Sequence, residues 1–447
     1  MYVVVVGMGQ VGQHVVRELE RDQHDVVAID SNPAMVEAVE DSQDVGTLVG
    51  YGSSPKILRE AGASKADLVV AVTDNDEVNL VAALAALRQG AKRAIARVQG
   101  DQYSGSDEGI LYGLLGIDVV INPRILVAQE MAKIARSRGA LEVLGLAGNR
   151  VEMIQIEMPA TGRMLHKGLA NLSLPAQTLV AAIVRDGELF VPGGSEVLLP
   201  GDRAYFLGHA GTMDEIEDLF GARKDITRVC IIGGGVVGLA LARLLVQSDV
   251  EVMLLEKDRD RAEMLAIELP DVTVLHGDGT DSHLLEEEQV GSFDLFAAVT
   301  KDDEVNLMAG LLAKRAGVQR AVSLAQRPDY ADIYRQLGID IVLSPRTLAS
   351  ENILRYVRQS EVQSLTLLEH GQAEVLELIA REGSRILGTP IKRLNIPRGA
   401  LIAVLVSQGR VSIPHGGDQV RAGDTVVLIT TASARPAVER LFKRRTL

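Results

Sequence analysis

The chain has a single cysteine, Cys230, among its 447 residues. One thiol cannot close an intramolecular disulfide or build a cysteine metal cluster, and its place inside an apolar run predicts a buried, inert side chain. Basic charge is also scarce. Lys and Arg number 46 against 60 Asp and Glu, giving a net charge of −14. A nucleic-acid partner calls for a basic face, so this balance argues against one and reads instead as solubility. No uncharged apolar stretch reaches the roughly 18 residues that a membrane span needs. The longest candidate, Val229 to Ala242, is shorter and is broken by four glycines. A signal peptide is not expected, because a β-branched strand pattern begins at residue 2. The chain should therefore be cytoplasmic, touching a membrane only through a partner. Catalytic chemistry is thin too. The eight His are scattered, none of the eight Tyr has a Lys four residues on, and no metal-ligand spacing appears.

What is present organises itself around residues 1–30. Val3 to Val6 is the composition of a strand buried on both faces. Gly7-Met8-Gly9-Gln10-Val11-Gly12 follows, then a helical pattern with Val15, Val16 and Leu19 on one side, then a second apolar run ending in Asp30. Strand, glycine turn, helix, strand and acid in this order form the dinucleotide-binding fingerprint. Gly7 permits the tight turn. Gly9, without a Cβ, lets a diphosphate approach the backbone, and Gly12 lets helix and strand pack closely. The helix N-terminus offers unpaired N–H groups to phosphate. Asp30 can accept from both hydroxyls of an adenosine ribose and would repel a 2′-phosphate.

The pattern then repeats. Val229 to Ile232 leads into Gly233-Gly234-Gly235-Val236-Val237-Gly238, and Val252 to Leu255 ends in Glu256. Gly50-Tyr51-Gly52-Ser53 recurs as Gly277-Asp278-Gly279-Thr280, and the block Ala71 to Asn79 recurs as Ala298 to Asn306. Gly116-Ile117-Asp118 and Pro123-Arg124 recur as Gly338-Ile339-Asp340 and Pro345-Arg346. The first copy carries about five extra residues, placed in a polar surface loop over Gly100 to Gly109. Each copy also holds a smaller part: Leu165, Leu172, Pro175, Gly187, Gly201-Asp202 and Leu219-Phe220 all return 222 residues later. The fold class read from this is α/β. Two tandem Rossmann-like doubly wound parallel sheets (1–122 and 226–345) are each followed by a small α+β module (142–223 and 364–447). In the module a strand at Val151–Met158 should precede a short helix at Leu165–Leu172, two strands joined at Asp186-Gly187, a further strand and a closing helix. Between the two parts runs an amphipathic segment, Pro123 to Arg138, with Pro345 to Arg358 as its counterpart; it has the choice of packing on its own domain or on a twin.

A ligand on such a sheet lies over the carboxyl ends of the strands. The first crevice should then be lined by Gly7, Met8, Gly9, Gln10, Val11, Asp30, Ser31, Gly52, Ser53, Thr73, Asp74 and Arg97. The second should be lined by Gly233, Gly234, Gly235, Val236, Val237, Glu256, Asp278, Gly279, Thr300 and Lys301. Asp74 with Glu77 also reads as a helix capping box. Three departures separate the copies: Glu256 replaces Asp30, Lys301 replaces Asp74 and so removes the box, and Leu324 replaces Arg97.

Taken together, the doubled glycine fingerprint, the doubled AVT-x-x-DEVN block, the LGID-to-PR segment and the Pro200-Gly201-Asp202 and Ala422-Gly423-Asp424 turns resemble the TrkA family over essentially the whole chain. These are peripheral subunits of bacterial Trk potassium uptake built from two RCK domains. The resemblance implies a non-enzymatic regulator in a homotetrameric ring on the inner face of the plasma membrane, under a TrkH-like potassium channel subunit. It also implies gating controlled by NAD(H) or by ATP and ADP in the crevices. Related ATP-gated KtrA subunits carry an Arg inside the glycine loop. Gln10 and Val236 stand there instead, which favours NAD(H), above all at the first crevice. The alternative reading is an NAD-dependent oxidoreductase with a tandem Rossmann architecture.

Overall fold

The computed structural model describes the chain except residues 101–115, 137–139, 148–149, 221–225, 249, 359–363, 408 and 444–447. The loop expected at Gly100 to Gly109 therefore lies, beyond Gly100, outside the described residues. The chain divides into two compact units, one of Met1–Ala132 with Thr227–Val357 and one of Lys133–Ile226 with Arg358–Leu447.

The first half of the first unit holds strands β1 (Tyr2–Val6), β2 (Asp25–Asp30), β3 (Gly46–Val49), β4 (Leu68–Ala71), β5 (Ala94–Arg97) and β6 (Val119–Ile121). Helices α1 (Gln10–Arg21), α2 (Pro33–Glu40), α3 (Pro55–Glu60), α4 (Asp76–Gln89) and α5 (Pro123–Arg136) accompany them. The strands lie in the order β3-β2-β1-β4-β5-β6 and pair in parallel throughout. Val3 to Val6 are at most 1 % exposed, as a strand covered on both faces requires. The strand order reverses between β1 and β4, which opens the crevice between the turns that follow them.

The chain then enters the second unit with β7 (Glu142–Leu146), β8 (Val151–Glu157), β9 (Thr178–Arg185), β10 (Glu188–Phe190), β11 (Arg203–His209) and α6 (Met213–Leu219). The sheet order is β10-β9-β11-β8-β7, with antiparallel pairings. The hairpin at Asp186-Gly187 forms as expected, with both residues at positive φ (+53° and +83°), the geometry that matches strand twist. The helix expected at Leu165–Leu172 is a single 3₁₀ turn, Leu169–Asn171. His166 at φ +60° breaks any continuous helix there, and the segment bonds outward to a neighbouring loop, with His166 N–H on Leu198 O and Leu169 N–H on Glu196 O. Strand β7, which sequence reading left out, pairs with β8.

Back in the first unit, the second half repeats the plan with β12 (Arg228–Ile232), β13 (Glu251–Glu256), β14 (Thr273–His276), β15 (Leu295–Ala298), β16 (Arg320–Leu324) and β17 (Ile341–Leu343). Its helices are α7 (Val236–Val246), α8 (Arg259–Glu268), α9 (Ser282–Glu287), α10 (Asp303–Ala316), α11 (Tyr330–Leu337) and α12 (Pro345–Arg358). Its sheet runs β14-β13-β12-β15-β16-β17. Cys230 is fully buried in β12, and burial pushes its thiol up, so it is inert. The second module closes the chain with β18 (Ser364–Leu368), β19 (Ala373–Ile379), β20 (Ala400–Ser407), β21 (Arg410–Ser412), β22 (Thr425–Thr431) and α13 (Arg435–Phe442). Among the described residues no helix is long and apolar enough to cross a membrane.

Each unit joins its two repeats through a shared core. Ala349, Ile353, Leu354 and Val357 of α12 are fully buried in one apolar cluster with Val3 and Val5 of β1 and Val15, Val16 and Leu19 of α1. Their spacing is one helical stripe. The amphipathic segment of the second half thus packs on a twin, and the twin is the first half of the same chain. In the second unit Met153, Ala182, Tyr205 and Leu207 share a cluster with Val375, Ala403, Val427 and Ile429 of the other module. Two bonds at matched positions frame that contact, from Arg150 to Gly409 O (2.6 Å) and from Gln372 to Gly187 O (2.9 Å).

Candidate functional site

Both glycine turns are built the same way. Gly7 sits at φ +99° and Gly233 at +102°. A Cβ on Gly7 would stand 2.7 Å from Thr73 N, so the turn after β1 lies hard against the end of β4. A Cβ on Gly12 would come within 1.8 Å of Gly7 O, and one on Gly238 within 1.9 Å of Gly233 O. These glycines let α1 and α7 start directly on the turn. Gly9 and Gly235 differ from them: a Cβ there would meet nothing within 4 Å. Their backbone faces open space at a helix N-terminus, the room a diphosphate needs. Gly52 and Gly279 are required for another reason, since a Cβ would strike Val6 at 1.9 Å or Ile232 at 2.3 Å.

Asp30 and Glu256 tie each loop to the second strand. Asp30 accepts the Met8 N–H at 2.6 Å and the Asn32 N–H at 2.8 Å, one on each oxygen. Glu256 accepts the Gly234 N–H at 2.7 Å and the Asp258 N–H at 2.8 Å. A carboxylate has about four acceptor sites, so each acid keeps capacity for ribose hydroxyls after fixing the loop. The Met8, Val11 and Val237 side chains are buried, leaving only their backbone at the crevice. Where the first half fills its core with Met8, the second has Gly234 and fills the space with Leu265. Gln10 and Ser31 are exposed, as are Asp74 and Lys301. Ser53, Val236 and Thr300 are half-buried.

Asp74 is not a helix cap. The N-cap of α4 is Asn75, whose side chain accepts the Val78 N–H at 2.7 Å, and in the second half it is Asp302, which accepts from Val305 at 2.9 Å. Asn75 holds the extended backbone of an N-cap, so the helix starts one residue later than the sequence suggested. Lys301 therefore costs the second half no cap.

Four further sets of residues join the crevices, and of these only Asp278 had been singled out as ligand-facing. Asn79 is fully buried and clamps two strand ends. Its side chain accepts the Thr73 N–H (2.8 Å) and hydroxyl (2.7 Å) and donates to Thr73 O and Arg97 O, both at 2.9 Å. Asn306 repeats the clamp on Thr300 and Leu324. Asp76 accepts the N–H groups of Gln99 (2.9 Å) and Gly100 (2.7 Å), and Asp303 those of Gln326 (2.7 Å) and Arg327 (3.2 Å). Lys257 pairs with Asp278 at 2.8 Å, and that bond with two from Thr280 lowers the Asp278 carboxyl to about 2. Arg124 donates to Gln99 O at 3.1 Å, while Arg346 of the second half donates to Gln10 of the first glycine loop. The signal for the clamp and the arginines was in the sequence, since the DEVN block and the Pro-Arg pair both recur.

Two glycine-loop halves sharing a core, and two small antiparallel modules sharing another, define a tandem RCK protein. A GsuK channel bound to NAD superposes with a TM-score of 0.62 at 18% identity, over 99% of this chain and 78% of that one. The TrkA-N domain model matches residues 3–123 and 229–345, and the TrkA-C domain model 153–221 and 375–443. A Trk system potassium uptake protein TrkA homolog from Methanosarcina mazei is 34% identical over 99% of this chain and 100% of its own length. The Trk system potassium uptake protein TrkA of Halomonas elongata is 33% identical over 99% of both chains. The chain belongs to the TrkA family.

Proposed function

We propose that this chain is a cytoplasmic, nucleotide-sensing regulatory subunit of a Trk-type potassium transporter and not an enzyme. The observation that carries the reading is the doubled open crevice. Gly9 and Gly235 face empty space, and Asp30 and Glu256, each bonded into the adjoining loop, retain acceptor capacity beside it. The relatives' names supply the transport system, and the NAD-bound GsuK channel, alike in fold, supplies a precedent for the ligand. NAD(H), or ATP and ADP, lies along the glycine loop with its ribose on the acid. Residues 1–122 and 226–345 act as nucleotide lobes, with 142–223 and 364–447 as assembly modules. The partner is a TrkH-like channel subunit, reached by a homotetrameric ring at the inner membrane face.

A ligand shifts lobe arrangement only by its difference in affinity for two arrangements, and about 1.4 kcal/mol changes their ratio tenfold. The test is isothermal titration of the full chain with NADH, NAD, ATP and ADP, on wild type and on Asp30→Ala and Glu256→Ala. Binding without turnover, weakened about tenfold by one acid variant, assigns each ligand to its half. Undiminished binding to both variants would remove the crevices from the reading, and measurable NADH oxidation would make the protein an oxidoreductase.

A further inference from the structure

The two small modules share a fold and carry opposite charge. Residues 142–223 hold 11 Asp and Glu against 6 Lys and Arg, and residues 364–447 hold 7 against 12. Where this charge sits follows from the layering of the second unit. Alternate residues of a strand point to opposite faces of its sheet. In β11, Tyr205 and Leu207 enter the core shared by both modules, while Ala204 and Phe206 enter a separate core with Met213 and Ile216 of α6. In β22, Val427 and Ile429 enter the shared core, while Val426 and Leu428 meet Val438 of α13. The unit is therefore four layers, helix, sheet, sheet and helix, with α6 and α13 on its two outer sides.

The outward residues of these helices differ in sign. On α6, Asp214, Glu215 and Asp218 are exposed, with Leu219 exposed beside them. The matching places 222 residues on are Pro436, Ala437, Arg440 and Leu441. On the α13 side Arg440 is exposed, as is Lys443 just past the helix end. Behind the helices the contrast continues. Arg435 pairs with Glu374 at 3.1 Å and with Glu439 at 2.8 Å. The first module keeps both acids, as Glu152 and Glu217, but has Met213 in the arginine's place. Burial pushes the Glu152 carboxyl up, and the charges of Asp214 and Glu217 add to that push.

We infer that the acidic α6 side of the first module docks on the basic α13 side of the second module of another copy of this chain, so that the modules link copies head to tail. Two sheets lie between the sides, so they cannot meet within one chain. Like sides of two copies repel, which leaves only the unlike pairing. A contact between two different patches is heterologous, and it closes into a ring when the rotation between copies allows. An anionic lipid surface would suit the α13 side but gives the acidic twin no role, whereas a second copy accounts for both. This rests on the reading of the modules as assembly parts and names their contact; nucleotide binding does not enter it.

The experiment is sedimentation velocity on the full chain across a range of salt. Wild type associates at low salt and loosens as salt screens the contact. One variant joins Asp214→Lys with Glu215→Lys, and the other joins Arg440→Glu with Lys443→Glu. Each alone sets like charges face to face and weakens association about tenfold or more. Mixed in equal amounts, the two recover wild-type association, because each supplies the side that the other lost. That recovery also shows that both fold. Variants that associate as tightly as wild type overturn the contact and leave the ring reading standing, as does a mixture that fails to recover. If the Arg440 and Lys443 variant associates normally but loses binding to phosphatidylglycerol vesicles, the basic side belongs to a membrane and the contact is wrong. A wild type that stays monomeric at every salt overturns both the contact and the ring.

Discussion

At the end of β3 the first half carries Tyr51, 71 % exposed; at the matching place the second half carries Asp278, held by Lys257 and Thr280. At the end of β5 the first half carries Arg97 with an unpaired Nε, and the second carries Leu324, 1 % exposed. Beneath these differences the backbones coincide: the same strand order, the same positive-φ glycine, the same asparagine clamp. The two halves share what shapes the crevice and differ in the side chains at its rim. The first crevice holds one buried guanidinium nitrogen without a partner, the Arg97 Nε, and an open aromatic face. In the second, Lys257 pairs with Asp278 and the end of β16 is apolar, while Lys301 stays exposed. A site whose polar groups are already paired gives up less on staying empty, and gains less on binding, than one whose groups are not.

Exchanging the residues at the β5 ends breaks the comparison most sharply. Leu324→Arg places a guanidinium at a buried position where Lys301 stands for Asp74 and where Asp303 already holds two backbone N–H groups. It should destabilise the unliganded protein by about 3–5 kcal/mol, read as a fall in the thermal midpoint. A stable Leu324→Arg protein that also gains ATP affinity would mean the second crevice is a latent copy of the first.

The asparagine clamp should instead be equal on both sides. Asn79→Ala and Asn306→Ala each remove the partner of one N–H and two carbonyls at strand ends, a loss of about 3 kcal/mol apiece. Calorimetry on the two variants checks this. A large gap between them would show that one half depends less on its crevice floor than the matched hydrogen bonds indicate.

An effect set by pH separates the helices that link the halves to their modules. Glu351 on α12 corresponds to neutral Gln129 on α5. Burial pushes the Glu351 carboxyl up to about 7, against the pull of Arg355 and with the push of Glu130 across on α5. Because the folded value lies above the ordinary carboxylate value, the stability linked to its proton is complete below pH about 4.5 and is lost as pH rises through 7. Glu351→Gln stays neutral at every pH. It should match wild type near pH 4.5 and exceed it by up to about 3 kcal/mol at pH 8, measured as thermal midpoints across that range.

How much of this could be read in advance follows from what each feature depends on. The strands, both glycine turns and both acids were legible because local pattern determines them: β-branched runs, glycine spacing, an acid at a strand end. The clamp was half legible. Asn79 stood in a repeated block, but its partners, the ends of β4 and β5, are distant in sequence. The capping frame was missed by one residue, since Asp74 and Asn75 are both good caps and only backbone geometry separates them. The reach of Arg346 to Gln10 was illegible, because it depends on a helix of one half seating in the core of the other, a long-range packing choice that periodicity leaves open. Strand β7 escaped because its short sequence, Glu142 to Leu146, gains strand character only by pairing with β8.

The smallest expected effect in the unliganded protein is the reciprocal exchange, Arg97→Leu, and it bears most directly on why the two crevices differ. If Arg97 were a structural ion-pair partner of Asp76 and Asp74, removing it would leave two acids uncompensated and lower stability. The geometry argues otherwise. Its Nε has no partner, Asp76 is occupied by backbone N–H groups, Arg124 and Arg346 repel it, and burial already lowers its affinity for its proton. Replacing such a group with an apolar side chain is often neutral or favourable. The twin shows that leucine fits this place in the fold, with Leu324 fully enclosed. Arg97→Leu should therefore leave the unliganded thermal midpoint unchanged or raise it slightly, by less than about 1 kcal/mol of stability. The stabilisation that saturating ATP confers on wild type should shrink at the same time, since that increment follows affinity. A midpoint that drops sharply without ligand would make Arg97 part of the scaffold, and the contrast with Leu324 would then record two ways of packing a strand end rather than two kinds of crevice.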